Sequence, residues 1–219
     1  MKAWQILAAP ILGMLASNAC AVALAASDFD AGAQGWFAVN GAHSFDWQGS
    51  GGAPGGHVQA KDFDGQTLWF FAAPSDYLGD KLAAYGGSLS FALKSDSSSL
   101  PLVTPYADIH LLGQNGVRLV YAGNLLPGSD WTRYSIALVA NGAWHVDSIS
   151  GAAATAADFE GVLSDLRQLR IRGDYRQAVE TTGLDAVVLS SAAAVPEPVT
   201  AWLWLAGLAV VAGAARRRT

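Results

Sequence analysis

The chain has 219 residues, 52% of them hydrophobic and only 14% charged, with a formal net charge of −5. That length fits one or two domains. The acidic balance argues against a nucleic-acid partner, because phosphates call for a basic footprint.

The N-terminal stretch carries Lys2, then an apolar run through Ile11, Leu12 and Leu15, then the small residues of Ala23-Leu24-Ala25. Residues 1–26 therefore read as a secretory signal peptide. The single cysteine, Cys20, lies inside it, and Ser17 stands where a lipoprotein signal would want leucine three positions earlier. Once that segment is removed the chain has no thiol for a disulfide or a nucleophile.

Residues 27–192 read as an all-β body, with apolar alternation between turn signals. The predicted strands are "GWFAV", "GHVQAKDF", "TLWFFAA", "GSLSFALKS", "TRYSIALV", "QLRIRGDY" and "GLDAVVLSS". In "ADIHLLGQNGVRLVYAG" the pair Asn115-Gly116 predicts a hairpin closed by a two-residue turn with positive φ angles. "TAADFEGVLSDL" predicts one short helix, with Thr155 as its cap and Asp158 three positions on. Phe159, Val162, Leu163 and Leu166 fall at helical spacing behind that cap. About ten strands of this kind predict two packed sheets, a sandwich or jelly roll.

Few residues in the body point to chemistry. His43, His57, His110 and His145 are widely spaced, without the paired spacing of a metallohydrolase. Asp108 and His110 share a strand face and read as a solvated pair. The glycine-rich "GSGGAPGG" over residues 49–56 lacks the Lys-Ser/Thr ending of a phosphate loop and reads as a backbone turn. No G-x-S-x-G elbow occurs. Carboxylates such as Asp62 and Asp64 leave a glycosidase pair open, since such pairs need not be adjacent in sequence. "RGD" at Arg172–Asp174 sits in a predicted strand and reads as structural.

Two further sets are candidate sites. Asp28 and Asp30 open the body and Asp185 lies in its last strand, so closure of a sandwich would gather three hard oxygen donors for a structural calcium ion. The competing reading is ordinary turn aspartates. Of the body's tryptophans, Trp36, Trp47, Trp69, Trp131 and Trp144, most belong to a core. Trp47, beside the glycine run, is the candidate platform for stacking on a sugar.

The tail, residues 193–219, is of another kind. From Val199 to Ala215 there are seventeen uncharged residues, close to the shortest helix that crosses a ~30 Å hydrocarbon core at ~1.5 Å per residue. Trp202 and Trp204 suit the membrane interface, and Arg216, Arg217 and Arg218 form a cytoplasmic stop. Setting aside Lys2 and these three arginines from thirteen basic residues, and Glu197 from eighteen acidic ones, leaves nine against seventeen. The body thus carries about −8, mostly as aspartate.

The tail resembles the PEP-CTERM sorting signal, in the order Val195-Pro196-Glu197-Pro198, Thr200, apolar helix, arginine cluster. The resemblance implies a Gram-negative, exopolysaccharide-producing bacterium and an exosortase that acts on Pro196, Glu197 and Pro198. Two prolines would keep that segment extended and open to a protease-like cleft. The inner membrane would be a transient anchor on the way to the cell surface. The body resembles a laminin B (laminin IV type A) domain through "GGAPGGHVQAKD", "LWFFAAPSDYLGDKLAAYGGSLSFAL", "LRIRGDY" and "TTGLDAVVL". That resemblance implies a galactose-binding-like jelly roll of the extracellular matrix. Without cysteines or cysteine-rich flanks it does not imply laminin-type polymerisation, and it transfers no binding residue.

These features together predict a non-catalytic exported protein that binds exopolysaccharide or other matrix components. The alternatives are a purely structural surface protein acting by protein contacts, and a secreted glycan hydrolase or lyase.

Overall fold

The last strand of the body, Thr181–Ser190, shows how the sequence builds its sheets. Strict alternation would turn Leu184 and Val187 to opposite faces, yet both are buried, as is Leu189. The register resolves this: Asp185 pairs with Ala92 and Val188 with Ser90, so one extra residue is inserted. Ala186 occupies that bulge at φ 50°. The bulge re-phases the strand, keeping Leu184, Val187 and Leu189 inward and Asp185 on the outer side.

The computed structural model describes residues 20–62, 67–96 and 106–193, within which Ala21–Ala193 forms one compact unit. In chain order its elements are β1 (Ala23–Ser27), β2 (Phe37–Asn40), β3 (Ala42–Gln48), β4 (His57–Asp62), β5 (Trp69–Ala72) and two single 3-10 turns (Ser75–Tyr77, Leu82–Ala84). They continue with β6 (Ser88–Ser95), β7 (Ile109–Gly113), β8 (Arg118–Tyr121), β9 (Thr132–Ala137), β10 (Trp144–Val146), α1 (Ala156–Leu163), β11 (Leu166–Arg172) and β12 (Thr181–Ser190). One antiparallel sheet runs β3-β4-β12-β6-β9, with β1 also paired to β12; the other runs β10-β8-β7-β11-β5-β2. Thus β12 pairs with β6 along one side, and with β4 and then β1 along the other.

The inner faces of both sheets meet in a core that includes Trp36, Trp69, Phe71, Phe91, Ile109 and Leu184. The helix closes part of it. Phe159 packs edge-on against Trp144 at 5.3 Å and at a 39° tilt against Tyr85 at 5.6 Å between ring centroids. A reciprocal cap starts this helix: the Asp158 N–H donates to Thr155 Oγ1 at 3.2 Å, and the Thr155 N–H donates to Asp158 Oδ2 at 2.9 Å. Leu166 is not its fourth contact, since the helix ends at Leu163 and Leu166 opens β11.

Three strands were not expected. β3 and β10 lack strong alternation, and they form by pairing with β4 and β8. β1 lies largely inside residues 1–26, the segment that reads as a leader. It is nonetheless integrated: Ser191 donates its N–H to the Val22 carbonyl at 2.8 Å, and Ser27 Oγ accepts from Trp36 Nε1 at 3.0 Å. The hairpin also differs in detail. Its loop is three residues, with Gly113 and Val117 hydrogen-bonded at 3.0 Å and only Gly116 at positive φ, 80°. Asn115 instead accepts the Val117 N–H on Oδ1 at 3.0 Å. The tail motif and the 199–215 segment lie outside the described residues, and no helix among those described is long and apolar enough to cross a membrane.

Urea unfolding is expected to separate packing from capping here. Phe159→Ala should cost about 3–5 kcal/mol, as a buried ring lost to a cavity. Thr155→Ala should cost about 1 kcal/mol, as a lost cap. Equal losses would show that the helix is not a lid on the core.

Candidate binding site

The outer face of the β12 sheet gathers polar side chains from neighbouring strands, Asp185 among them, while Trp47, paired with buried Val58, stands on the other side of β3. Register places Asp46, Gln59, Gly183 and Lys94 side by side across β3, β4, β12 and β6, with Trp131 just before β9. The next row holds Asp185, Ala92 and Arg133, and the one after it Val188, Ser90 and Ser135. Gly183 matters because a side chain there would crowd its neighbours: a Cβ would sit 3.0 Å from both Lys94 Cε and Trp131 Cη2. Its bare backbone lets the lysine and the indole lie over the strand. Lys94 Nζ stands 4.5 Å from the Trp131 ring centroid, a cation–π arrangement.

The glycine run is a backbone turn, as expected, and it folds onto this face. Gly52 donates its N–H to the Gly55 carbonyl at 2.8 Å. The Gly51 carbonyl accepts from Trp131 Nε1 at 2.9 Å and Lys94 Nζ at 3.3 Å. Arg133 Nη2 donates to the Ala53 carbonyl, and the Ala53 N–H donates to Asp185 Oδ2. Beneath the loop His57 is 4% exposed, its ring 5.3 Å from Trp131. Burial, then the Lys94 charge, lowers its pKa.

The three candidate calcium aspartates do not gather as one set. Asp185 and Asp30 both reach the loop, Asp30 Oδ1 accepting the Gly56 N–H at 3.2 Å. Gly55, at φ 87°, has no side chain to displace that carboxylate; a Cβ there would lie 1.9 Å from Asp30 Oδ1. Asp28 is spent on its own turn, where its Oδ1 accepts from Gln34 Nε2 at 2.8 Å and the Asp30 N–H at 3.2 Å. Among the described residues no group of three or more His, Cys, Asp or Glu is placed to hold a metal ion. Burial raises the pKa of Asp185; the Ala53 and Ala186 N–H groups and then the Arg133 charge oppose that rise, and the nearby Asp30 charge adds to it.

Trp47 is the exposed indole of the set, at 42%, while Trp36, Trp69 and Trp144 are buried and Trp131 is half-buried. Its Nε1 donates to the Phe29 carbonyl at 2.6 Å, which fixes the ring at the sheet's margin beside Gly49. Sequence reasoning missed Lys94, Trp131 and Arg133. The alternation of "WTRYSIA" already put Trp131, Arg133 and Ser135 on one face, but not which face was outer.

The other titratable cluster is internal. Arg172 and Asp174 of the "RGD" stretch are 3% and 0% exposed, so they present nothing to a partner. Asp108 is buried too, which corrects the solvated reading: its Oδ1 lies 3.9 Å from Arg172 Nη1, and its Oδ2 accepts the N–H groups of Gly123 and Leu125. His110 packs on Phe70 at 4.6 Å, and burial depresses its pKa to about 4. Glu180 accepts from the Arg176 N–H at 2.9 Å and from Ser95 Oγ at 2.6 Å. Burial, then the neighbouring Glu180 charge, lifts Asp174 to about 7. Two carboxylates so placed hold one proton most easily. Being buried, the pair is out of reach of a glycosidic bond.

The laminin B (domain IV) family profile matches residues 70–203, more than half of the chain. The chain belongs to the laminin B family. A PEP-CTERM protein-sorting motif matches residues 194–218, which marks the chain as an exported, exosortase-sorted protein. Curated relatives of this laminin B chain include the mouse basement membrane-specific heparan sulfate proteoglycan core protein, 31% identical over 58% of this chain. Human laminin subunit alpha-3 is 31% identical over 56%. The chain spans only 3% and 4% of those proteins' lengths. Similar solved structures include the L4b domain of human laminin alpha-2, at 19% identity and TM-score 0.48, covering 56% of this chain and 70% of that one. A family 11 carbohydrate-binding module from Clostridium thermocellum is similar at 15% identity and TM-score 0.45, covering 75% and 93%.

The raised Asp174 pKa sets a pH dependence of the laminin B domain. A carboxyl that titrates near 3.8 unfolded and about 7 folded adds stability that is full below pH 3.8 and is lost as pH rises to about 7. His110 acts oppositely, its contribution being lost as pH falls from 6.5 to about 4. Thermal melts of Asp174→Asn against the unaltered chain should therefore show the variant gaining relative stability from pH 4 to 7. A constant difference would contradict the shift.

Proposed function

We propose that the exported laminin B domain is a non-catalytic surface or matrix protein that binds exopolysaccharide or other extracellular matrix components after exosortase processing at Pro196, Glu197 and Pro198. The observation that carries this reading is Trp47, an indole 42% exposed yet held by its N–H on Phe29. Aromatic rings held in place offer large contact area at little entropic cost, and sugar rings present apolar faces to them. A second reading, a structural protein acting through protein contacts, is favoured by β2, an edge strand with Phe37 49% exposed.

Retention of the full-length chain on the host's exopolysaccharide tests the first reading. Trp47→Ala is expected to lose most of it while melting as the unaltered chain does. Retention unchanged in that variant, or co-purifying proteins without glycan, would favour the second reading. For sorting, Glu197→Ala is expected to leave unprocessed chain in the inner membrane; normal release would remove the role given to Pro196-Glu197-Pro198.

Structural calcium narrows to Asp30 and Asp185, whose like charges a divalent cation would relieve beside the carbonyl-rich loop. Calcium should raise the melting temperature, and Asp185→Asn should abolish the rise. No calcium-dependent shift would leave the two carboxylates as hydrogen-bonded anchors of the loop.

A further inference from the structure

On the outer face of the β12 sheet, next to the glycine loop, lies a depression of about 270 Å³ lined by Ser90, Phe91, Arg133, Tyr134, Ser135 and Ala186. Drug-sized pockets begin near ~300 Å³, so this one admits about one sugar unit. Its floor is made of small residues, because Ser90, Ser135 and Ala186 are the outward positions of β6, β9 and the β12 bulge.

Arg133 is the charged group of this depression. Its Nη2 is tied to the Ala53 carbonyl, which orients the guanidinium, while the arginine makes no ion pair among the described residues. Asp185, the carboxylate nearest in register, feels the Arg133 charge but is 1% exposed and spends its oxygens on the Ala53 and Ala186 N–H groups. The hydroxyls of Ser90 and Ser135 likewise have no hydrogen-bond partner among the described residues. Lys94 lies one row away. So a body of about −8 presents here an oriented cation over free hydroxyls. A planar guanidinium fork with unused donors matches a carboxylate better than any neutral group.

We propose that this depression is a subsite for an acidic sugar, with the carboxylate of a uronate unit on Arg133 and ring hydroxyls on Ser90 and Ser135. The inference rests on the glycan-binding reading and names its ligand class.

Calorimetric titration of the full-length chain in detergent tests it, with an oligogalacturonate, a sulfated dextran and a neutral oligoglucan as probes. The oligogalacturonate is expected to bind at least tenfold more tightly than the neutral probe at low salt, with the gap narrowing as salt screens it. Arg133→Gln should lose about tenfold for the acidic probe and nothing for the neutral one, with the melting temperature lowered only as the lost bond to Ala53 requires. Arg133→Lys should recover only part of that loss. Equal affinity for acidic and neutral probes, or an Arg133→Gln variant that binds as before, overturns the subsite while leaving glycan binding in place. Preference for the sulfated probe overturns the assignment to a carboxylate. Binding of none of the three overturns both this inference and the reading beneath it.

Discussion

The bulge in β12 is the constraint from which the rest of the body follows. By inserting Ala186 at φ 50°, the strand keeps Leu184, Val187 and Leu189 on the core and swings Asp185 outward under the glycine loop. A regular strand would have turned that carboxylate into the core or exposed the valine. The bulge also separates the part of β12 that pairs with β4 from the part that pairs with β1. One inserted residue thus links core, sheet and loop.

The loop's position then determines what the outer face can do. Its carbonyls hold Trp131, Lys94 and Arg133, three side chains from separate places in the sequence, and its N–H groups hold Asp30 and Asp185. The loop is a turn that works in both directions, with carbonyls on cations and amides on carboxylates. Such charge-assisted contacts are stronger than neutral ones. They fix Arg133 and Trp131 without using up the open face of Trp47.

Much of this was legible in the sequence and some was not. Alternation was enough to find β4, β6, β9 and β12, and Thr155 with Asp158 announced the helix, since both signals are local. β1 and β10 were missed because they are made by pairing with β12 and β8 rather than by their own pattern. Asp108 and His110 read as solvated because a strand face does not reveal its neighbours; Arg172 and Phe70, distant in sequence, enclose them. Asp28, Asp30 and Asp185 do come from regions that approach each other. Gln34 captures Asp28 in a local turn, which no sequence distance foretells. Trp47 stood out by its place beside the glycines. Arg133 became visible only once the register showed which residues share its face.

The proposed glycan-binding surface is the outer face of the β12 sheet beside the glycine loop, with Trp47 exposed at the margin of the same sheet. Amide and indole resonances of the isotope-labelled chain, followed while oligosaccharides from the host's exopolysaccharide are added, test it most directly. Shifts confined to Gly51, Ala53, Ser90, Arg133, Ser135 and the Trp47 indole N–H are predicted. Shifts centred instead on Phe37 and the opposite sheet, or no shifts at all, would contradict it.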